Sequence, residues 1–212
     1  MLVVVRGADA DPGATSLAEL LGPERYASMQ RLLLRRAVEW ANSVAPGRVT
    51  VGYEPEEAGA SLRTLVGDGV DLLALVGDDE SRRLETAVDW VFDQGDGPVL
   101  IAWPDLPGWR SVHGLAALAD LRDGCDVSVG PVYDGGFYLL ALARPLPALF
   151  TLPADTWRST EALGRALAVV HEAGLDAGMV RAERGLHRPA DVRAALADPL
   201  LDPELAAVLR QG

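Results

Sequence analysis

The chain has 212 residues, 49% of them hydrophobic, enough for one well-cored domain, and carries a formal net charge of −12. That charge argues against sequence-independent nucleic-acid binding, which needs clustered cations, and the apolar runs fall far short of the ~20 residues that span a bilayer. The one cysteine, Cys125, excludes an intrachain disulfide and a cysteine-rich zinc site, and all 19 basic residues are arginines, so any cationic side-chain contact to phosphate comes from a guanidinium.

Strand-like and helix-like segments alternate along the chain, the signature of an α/β layer fold with a mostly parallel sheet. Residues 2–5 read as a first strand, followed by a loop of small and acidic residues over 7–13. Residues 24–44 form a long amphipathic helix with Tyr26, Met29, Leu33, Ala37 and Trp40 on one face. A short strand over 49–53 follows; 54–70 shows no clear pattern, and 72–76 reads as a buried strand. The acids of Gly77-Asp78-Asp79-Glu80 favour a helix start near residue 81, where free N–H groups point outward. A strand over 99–103, a helix over 111–121, strands over 126–130 and 137–142, and a helix over 160–173 ended by Gly174 come next. A last strand over 176–181 and helices from Pro189 and Pro203 complete the order.

Two strand ends carry acids. Val99-Leu100-Ile101-Ala102-Trp103 runs directly into Pro104-Asp105-Leu106-Pro107-Gly108. Gly130-Pro131-Val132-Tyr133-Asp134-Gly135-Gly136-Phe137 sets Asp134 and two glycines between two apolar runs. Lacking Cβ atoms, Gly135 and Gly136 allow positive φ or a close approach to a bulky group, and Asp134 adds charge beside that gap. Two carboxylates at strand ends suggest a metal–phosphate site. An ordinary Asp-Gly turn at 134 and a surface acid at 105 are the alternative.

The segment Gly130-Pro131-Val132-Tyr133-Asp134-Gly135-Gly136-Phe137-Tyr138-Leu139 is similar to the G-P-x-x-D-G-G-Y-Y-L segment of the bacterial GT-A-type glycosyltransferase-like family. That family comprises relatives of the nucleotide-diphospho-sugar transferases and of the phospholactate guanylyltransferases. Weaker matches follow the same order: Leu20-Leu21-Gly22-Pro23, Arg83-Leu84, Pro104-Asp105-Leu106-Pro107-Gly108 and Arg188-Pro189-Ala190-Asp191-Val192. The resemblance covers nearly the whole length and implies a single GT-A-like domain over 1–212, a three-layer Rossmann-like fold. It implies a nucleotide or nucleotide sugar bound at the first half and a Mg²⁺ or Mn²⁺ ion near the middle. By the same resemblance Asp105 is a metal ligand, and Asp134 is a second ligand or a group orienting sugar or acceptor. Asp134 or Asp155 could take the acceptor's proton in an inverting transfer.

Three stretches depart from the family pattern. Its basic run after the first strand corresponds to the uncharged Gly13-Ala14-Thr15-Ser16-Leu17, leaving Arg6 at the strand end as the nearest cation, beside Gly7, Gly13 and Thr15 as expected nucleotide contacts. Trp103 and Pro104 replace small residues before the metal acid, and Trp103 either stacks on a nucleobase or packs in the core. Gly185-Leu186-His187 stands where the family has a late Asp-x-Asp, so His187 is either a metal ligand or an exposed loop histidine. His113 and His171 carry no expected chemistry. These departures keep a second function open: a degenerate relative acting as a ligand-binding or scaffold subunit. An exposed apolar patch of Leu146, Leu149, Phe150 and Trp157 would point to a homodimer or a protein partner. The amino terminus lacks the features of a secretory signal, so the expected location is cytoplasmic.

Overall fold

The structure, a computed structural model, describes residues 1–6, 16–95 and 97–210. Among them, β1 (Leu2–Arg6), β2 (Thr50–Glu54), β3 (Asp71–Ala74), β4 (Val99–Ala102), β5 (Val127–Pro131), β6 (Phe137–Leu142) and β7 (Ala177–Met179) form one seven-stranded sheet in the order β3-β2-β1-β4-β6-β5-β7. The helices are α1 (Ser16–Leu21), α2 (Pro23–Val44), α3 (Gly59–Val66), α4 (Glu80–Asp93), α5 (Ser111–Arg122), α6 (Ala162–Glu172), α7 (Pro189–Ala197) and α8 (Pro203–Leu209).

Every adjacent pairing is parallel except those of β6, which runs antiparallel to β4 and to β5. The reason is local. Only residues 132–136 separate β5 from β6, and a parallel return needs a crossover of a dozen residues or more. The short turn therefore reverses the chain and keeps Asp134 at the edge where the parallel strands end.

Alternation along the strands divides the core into two layers. Val3, Val51, Leu100, Ala102, Leu139 and Ala141 face one layer with Leu34, Ala37, Val38 and Ala41 of α2 and Ala117 of α5. Leu2, Val4, Val99, Ile101, Leu140 and Leu142 face the other, with Leu84, Ala87 and Val88 of α4 and Ala166 and Val170 of α6. A third cluster joins α1, the first half of α2, α7 and α8 through Leu17, Leu21, Met29, Leu33, Val192, Leu205 and Leu209, and it also holds Leu186.

The unpatterned stretch after β2 resolves into a 3₁₀ turn, Glu56–Ala58, followed by α3, whose one buried residue is Leu62. A helix with so narrow an apolar face gives little periodic signal. Helix α1 was not expected either; at six residues it is held by burial of Leu17, Ala18 and Leu21 and not by propensity. The apolar side chains whose exposure would have pointed to a homodimer or a protein partner form no exposed patch. Leu149, Phe150 and Trp157 are buried in the layer with α4 and α6, Leu146 packs against it, and the Trp157 indole donates to Ser81 Oγ at 2.7 Å. The short 3₁₀ turns at Pro147–Thr151 and Ala154–Arg158 fold these side chains inward. No helix among the described residues is long and apolar enough to cross a membrane.

Candidate functional site

Strand β4 ends at Ala102 and leads through Trp103 and Pro104 to Asp105. Strand β5 ends at Pro131 and leads to Asp134. Both acids thus lie at the carboxyl edge of the parallel strands, where open α/β sheets bind ligands. The segment leaving β7 returns across this edge and is tied to both loops. Glu183 N–H donates to Pro131 O at 3.0 Å, Tyr133 N–H to Glu183 O at 3.2 Å, and Leu186 N–H to Asp105 O at 2.9 Å. Leu186 is 3% exposed, so burial in the third cluster anchors the residue next to His187.

These ties set His187 between the two acids. Its Nδ1 lies 2.5 Å from Asp134 Oδ2 and its Nε2 lies 3.7 Å from Asp105 Oδ2. Burial favours the neutral imidazole, but hydrogen bonding and charge from Asp105 and then Asp134 outweigh it and push the pKa up to about 9. Asp134 responds in the opposite direction. Burial raises its pKa, while the bond and charge of His187, the Gly136 N–H and the Arg188 charge together hold the carboxyl below its ordinary value. At neutral pH His187 is an imidazolium held against the Asp134 carboxylate, with Asp105 beyond its other ring nitrogen.

Two further acids fix this arrangement, and neither was singled out from the sequence for that role. Asp191, 9% exposed in the first turn of α7, accepts from the backbone N–H groups of His187 (3.2 Å) and Arg188 (2.9 Å) and pairs through Oδ1 with Arg184 Nη1 at 2.8 Å. The Arg188-Pro189-Ala190-Asp191 spacing was visible as a helix start, which is the available signal for this cap. Glu183 pairs with Arg181 at 3.2 Å, Arg110 at 3.4 Å and His113 Nε2 at 3.1 Å. Arg110 N–H donates to His113 Nδ1, which leaves Nε2 to carry the proton given to Glu183. His113 is 2% exposed, and burial outweighs Glu183 to lower its pKa, so it is a neutral structural histidine.

The remaining expected site residues divide into three groups. At Gly135, φ is 97° and a Cβ would meet Thr160 O at 2.0 Å, so the chain's own backbone fills the gap expected for a ligand. Gly136 donates its N–H to Asp134 Oδ1 at 3.2 Å and orients that carboxylate. Trp103 is half-buried and sits edge-on to Phe137 at 5.1 Å, a packing position at the site's margin. Arg6 ends β1 opposite Glu54 in the β2 register. Gly7, Gly13 and Thr15 lie outside the described residues. Asp155 is exposed on the turn preceding α6 and makes no hydrogen bond or ion pair with Asp105, Asp134 or His187. Arg83 of the family-like Arg83-Leu84 pair is held by Glu54 Oε2 at 2.6 Å and Gly77 O at 3.0 Å. A cleft of about 290 Å³ lies apart from the three residues, between α2 and the start of α5, lined by Trp40, Trp109 and Arg110 among others.

Carboxylate oxygens and an imidazole nitrogen are suitable donors for Mn²⁺, and carboxylates for Mg²⁺. Among the described residues no group of three His, Cys, Asp or Glu side chains is already arranged to hold a metal ion. The looser partner is Asp105, whose side chain is 53% exposed with His187 Nε2 at 3.7 Å, so it can turn to a cation. Mg²⁺ commonly takes only one or two protein carboxylates and fills its shell with waters and substrate phosphates. The residues therefore fit a cation that arrives with a phosphate ligand.

The sheet order, its one antiparallel strand and the acids at the carboxyl edge define a Rossmann-like α/β fold of the nucleotide-diphospho-sugar transferase type. Residues 38–154, more than half of the chain, match a family described as an uncharacterized protein conserved in bacteria (DUF2064), and the chain belongs to that family. No curated protein matches the sequence. Among solved structures, a candidate nucleotide-diphospho-sugar transferase from Desulfovibrio desulfuricans G20 is similar over 99% of this chain and 92% of its own, with 20% identity and a TM-score of 0.83. A cytidylyltransferase from Leptospira borgpetersenii serovar Hardjo-bovis (strain JB197) covers 98% and 90%, with 11% identity and a TM-score of 0.61. The Rv0371c protein of Mycobacterium tuberculosis H37Rv, solved in complex with manganese, covers 91% and 96%, with 13% identity and a TM-score of 0.53. At these identities the likeness is one of fold.

Proposed function

We propose that the protein is a transferase that binds a nucleotide or nucleotide sugar together with Mg²⁺ or Mn²⁺. The observation that carries this reading is the convergence of Asp105, Asp134 and His187 at the carboxyl edge of the sheet. In this reading Asp105 holds the cation and His187 lends it a nitrogen when unprotonated. A cation held there would neutralise charge on a departing diphosphate. Asp134, oriented by the Gly136 N–H, accepts the proton of an acceptor hydroxyl once its carboxylate is released from His187, whose bond and charge lower its basicity. Trp103 borders the nucleotide, and Arg6, Gly7, Gly13 and Thr15 contact it from the first strand and the loop after it. Gly135 and Gly136 shape the turn that presents Asp134.

A second reading is favoured by one observation: the His187 ring already bridges the two carboxylates. A protein that keeps this bridge would act as a ligand-binding or scaffold subunit without transfer. Calorimetry with UDP-, GDP-, CDP- and dTDP-sugars, with and without Mn²⁺, tests both. Cation-dependent binding that is lost in Asp105→Ala supports the transferase. Binding that ignores the cation and survives Asp105→Ala supports the second reading, and absence of binding by any of them removes the first.

A further inference from the structure

The segment 181–188 concentrates Arg181, Arg184, His187 and Arg188 against the one acid Glu183, in a protein whose overall charge is −12. Of the acids beside it, Asp134 and Asp105 face His187, Asp134 also feels the Arg188 charge, and the other two are occupied by structural work. Glu183 is spent on Arg181, Arg110 and His113, and Asp191 on Arg184 Nη1 and the backbone of His187 and Arg188. Among the described residues no hydrogen bond uses Nε or Nη2 of Arg184, and Arg188 forms no ion pair within 4.0 Å. Both arginines are exposed.

Beside Arg184 stands Tyr133, 65% exposed, with the Arg184 guanidinium 5.6 Å from its ring centroid, while the charge of Arg188 acts on the next residue, Asp134. Tyr133 immediately precedes Asp134, and its N–H is tied to Glu183 O. A parallel bridge joins Val132 to Glu183. The aromatic ring and the guanidinium are therefore carried on two loops whose backbones are pinned to each other, which keeps the two side chains within reach of one another. They lie on the β5–β7 side of Asp134, away from the β3-β2-β1-β4 half of the sheet.

We propose that Tyr133, Arg184 and Arg188 form a binding site for a small ring compound bearing a phosphate or carboxylate, with the guanidiniums on the anion and the tyrosine against the ring. Guanidiniums suit both anions because their forked N–H groups match paired oxygens, and an exposed aromatic face gives the ring a low-entropy contact. The site deepens the transferase reading and rests on it in one respect: it makes this compound the acceptor, presented to Asp134 from the side opposite the nucleotide.

The test measures binding of glucose 6-phosphate, glucose and inorganic phosphate, and separately of UDP, GDP and CDP with Mn²⁺, to the native chain and to variants checked by thermal melting. Glucose 6-phosphate binds the native chain and is weakened roughly tenfold or more in Arg184→Gln/Arg188→Gln, the loss expected for charge-assisted hydrogen bonds. Tyr133→Ala weakens glucose 6-phosphate more than inorganic phosphate, and Tyr133→Phe restores it. Nucleoside diphosphate affinity stays within about twofold of native in the arginine variant. Glucose 6-phosphate affinity that is absent in the native chain, or unchanged in the double variant, overturns the site. A parallel loss of nucleoside diphosphate binding would assign the arginines to the donor and overturn the acceptor placement. Failure of every nucleotide to bind the native chain sinks the transferase reading instead, and the glucose 6-phosphate measurements still decide the anion site.

Discussion

Asp134 and His187 are joined oxygen to nitrogen at 2.5 Å although 53 positions separate them in the chain. Asp134 closes the turn between two sheet strands, whereas His187 hangs from a loop anchored by Leu186 in a different hydrophobic cluster. Their contact therefore reports whether two separately packed parts of the molecule are in place.

This pair makes stability depend on pH. The free imidazole titrates near 6.5 and the folded one near 9, so the stabilisation is complete below about 6.5 and lost as pH rises through about 9. Asp134 acts at the other end: its folded pKa lies below 3.8, so its contribution is present above 3.8 and disappears as pH falls through the folded value. Across the alkaline window the native chain should lose melting temperature relative to His187→Gln, the two sharing the opposing contribution of the Met1 amino group, whose pKa burial lowers to about 6. Equal slopes in the two proteins would show that His187 is not charged in the fold.

Gly135→Ala should destabilise by about 2–4 kcal/mol, since it combines a left-handed φ with a clash against the Thr160 carbonyl, a backbone atom that cannot step aside. Gly136→Ala should cost under about 1 kcal/mol, because its added carbon meets the Val132 side chain at 3.2 Å, which can shift. For a chain of this size each kcal/mol lowers the melting temperature by about 2–4 °C, so thermal unfolding separates the two. Equal losses would contradict the packing assigned to Gly135.

Glu183→Ala removes the partner of a 2% exposed histidine and leaves Arg110 and Arg181 facing each other. A cost of about 1–3 kcal/mol is expected from the stranded imidazole N–H. His113→Phe combined with Glu183→Ala should recover part of that loss, because the stranded Nε2–H is gone, the recovery being limited by the Arg110 N–H, which loses its acceptor Nδ1. Chemical denaturation of the two variants decides the matter; a double variant no better than Glu183→Ala would refute it.

Asp191→Ala should free the His187 and Arg188 backbone N–H groups and release Arg184. Beyond a loss of about 1 kcal/mol for the helix cap, hydrogen exchange should quicken at residues 184–188 while the β1 and β4 amides keep their protection. Uniform quickening over the whole chain would show that Asp191 supports global stability alone.

The α/β alternation, most strand positions, the long helix α2 and the two acids at strand ends were legible in the sequence because burial imposes periods of 2 and 3.6 on those segments. Helices α1 and α3 were not, since each buries too few residues to mark a face. Whether Leu149, Phe150 and Trp157 form an exposed patch was left open by the sequence, and only the inward fold of two short 3₁₀ turns consigns them to the core. Asp105 and Asp134 were found as acids after buried strands, a purely local signal. The bridge between them was beyond local reading: His187 was one of two alternatives, a ligand or a loose histidine, Asp191 read only as an acid in a helix's first turn, and Glu183 carried no local signal. Sequence by itself thus determined the layers, the strand ends and the identity of the carboxylates, because short-range periodicity and turn chemistry act within a few residues. Tertiary structure alone decided that β6 returns beside β4, that Leu186 sinks into the third cluster and that an imidazole stands between two acids, because each depends on segments far apart in the chain burying surface against one another.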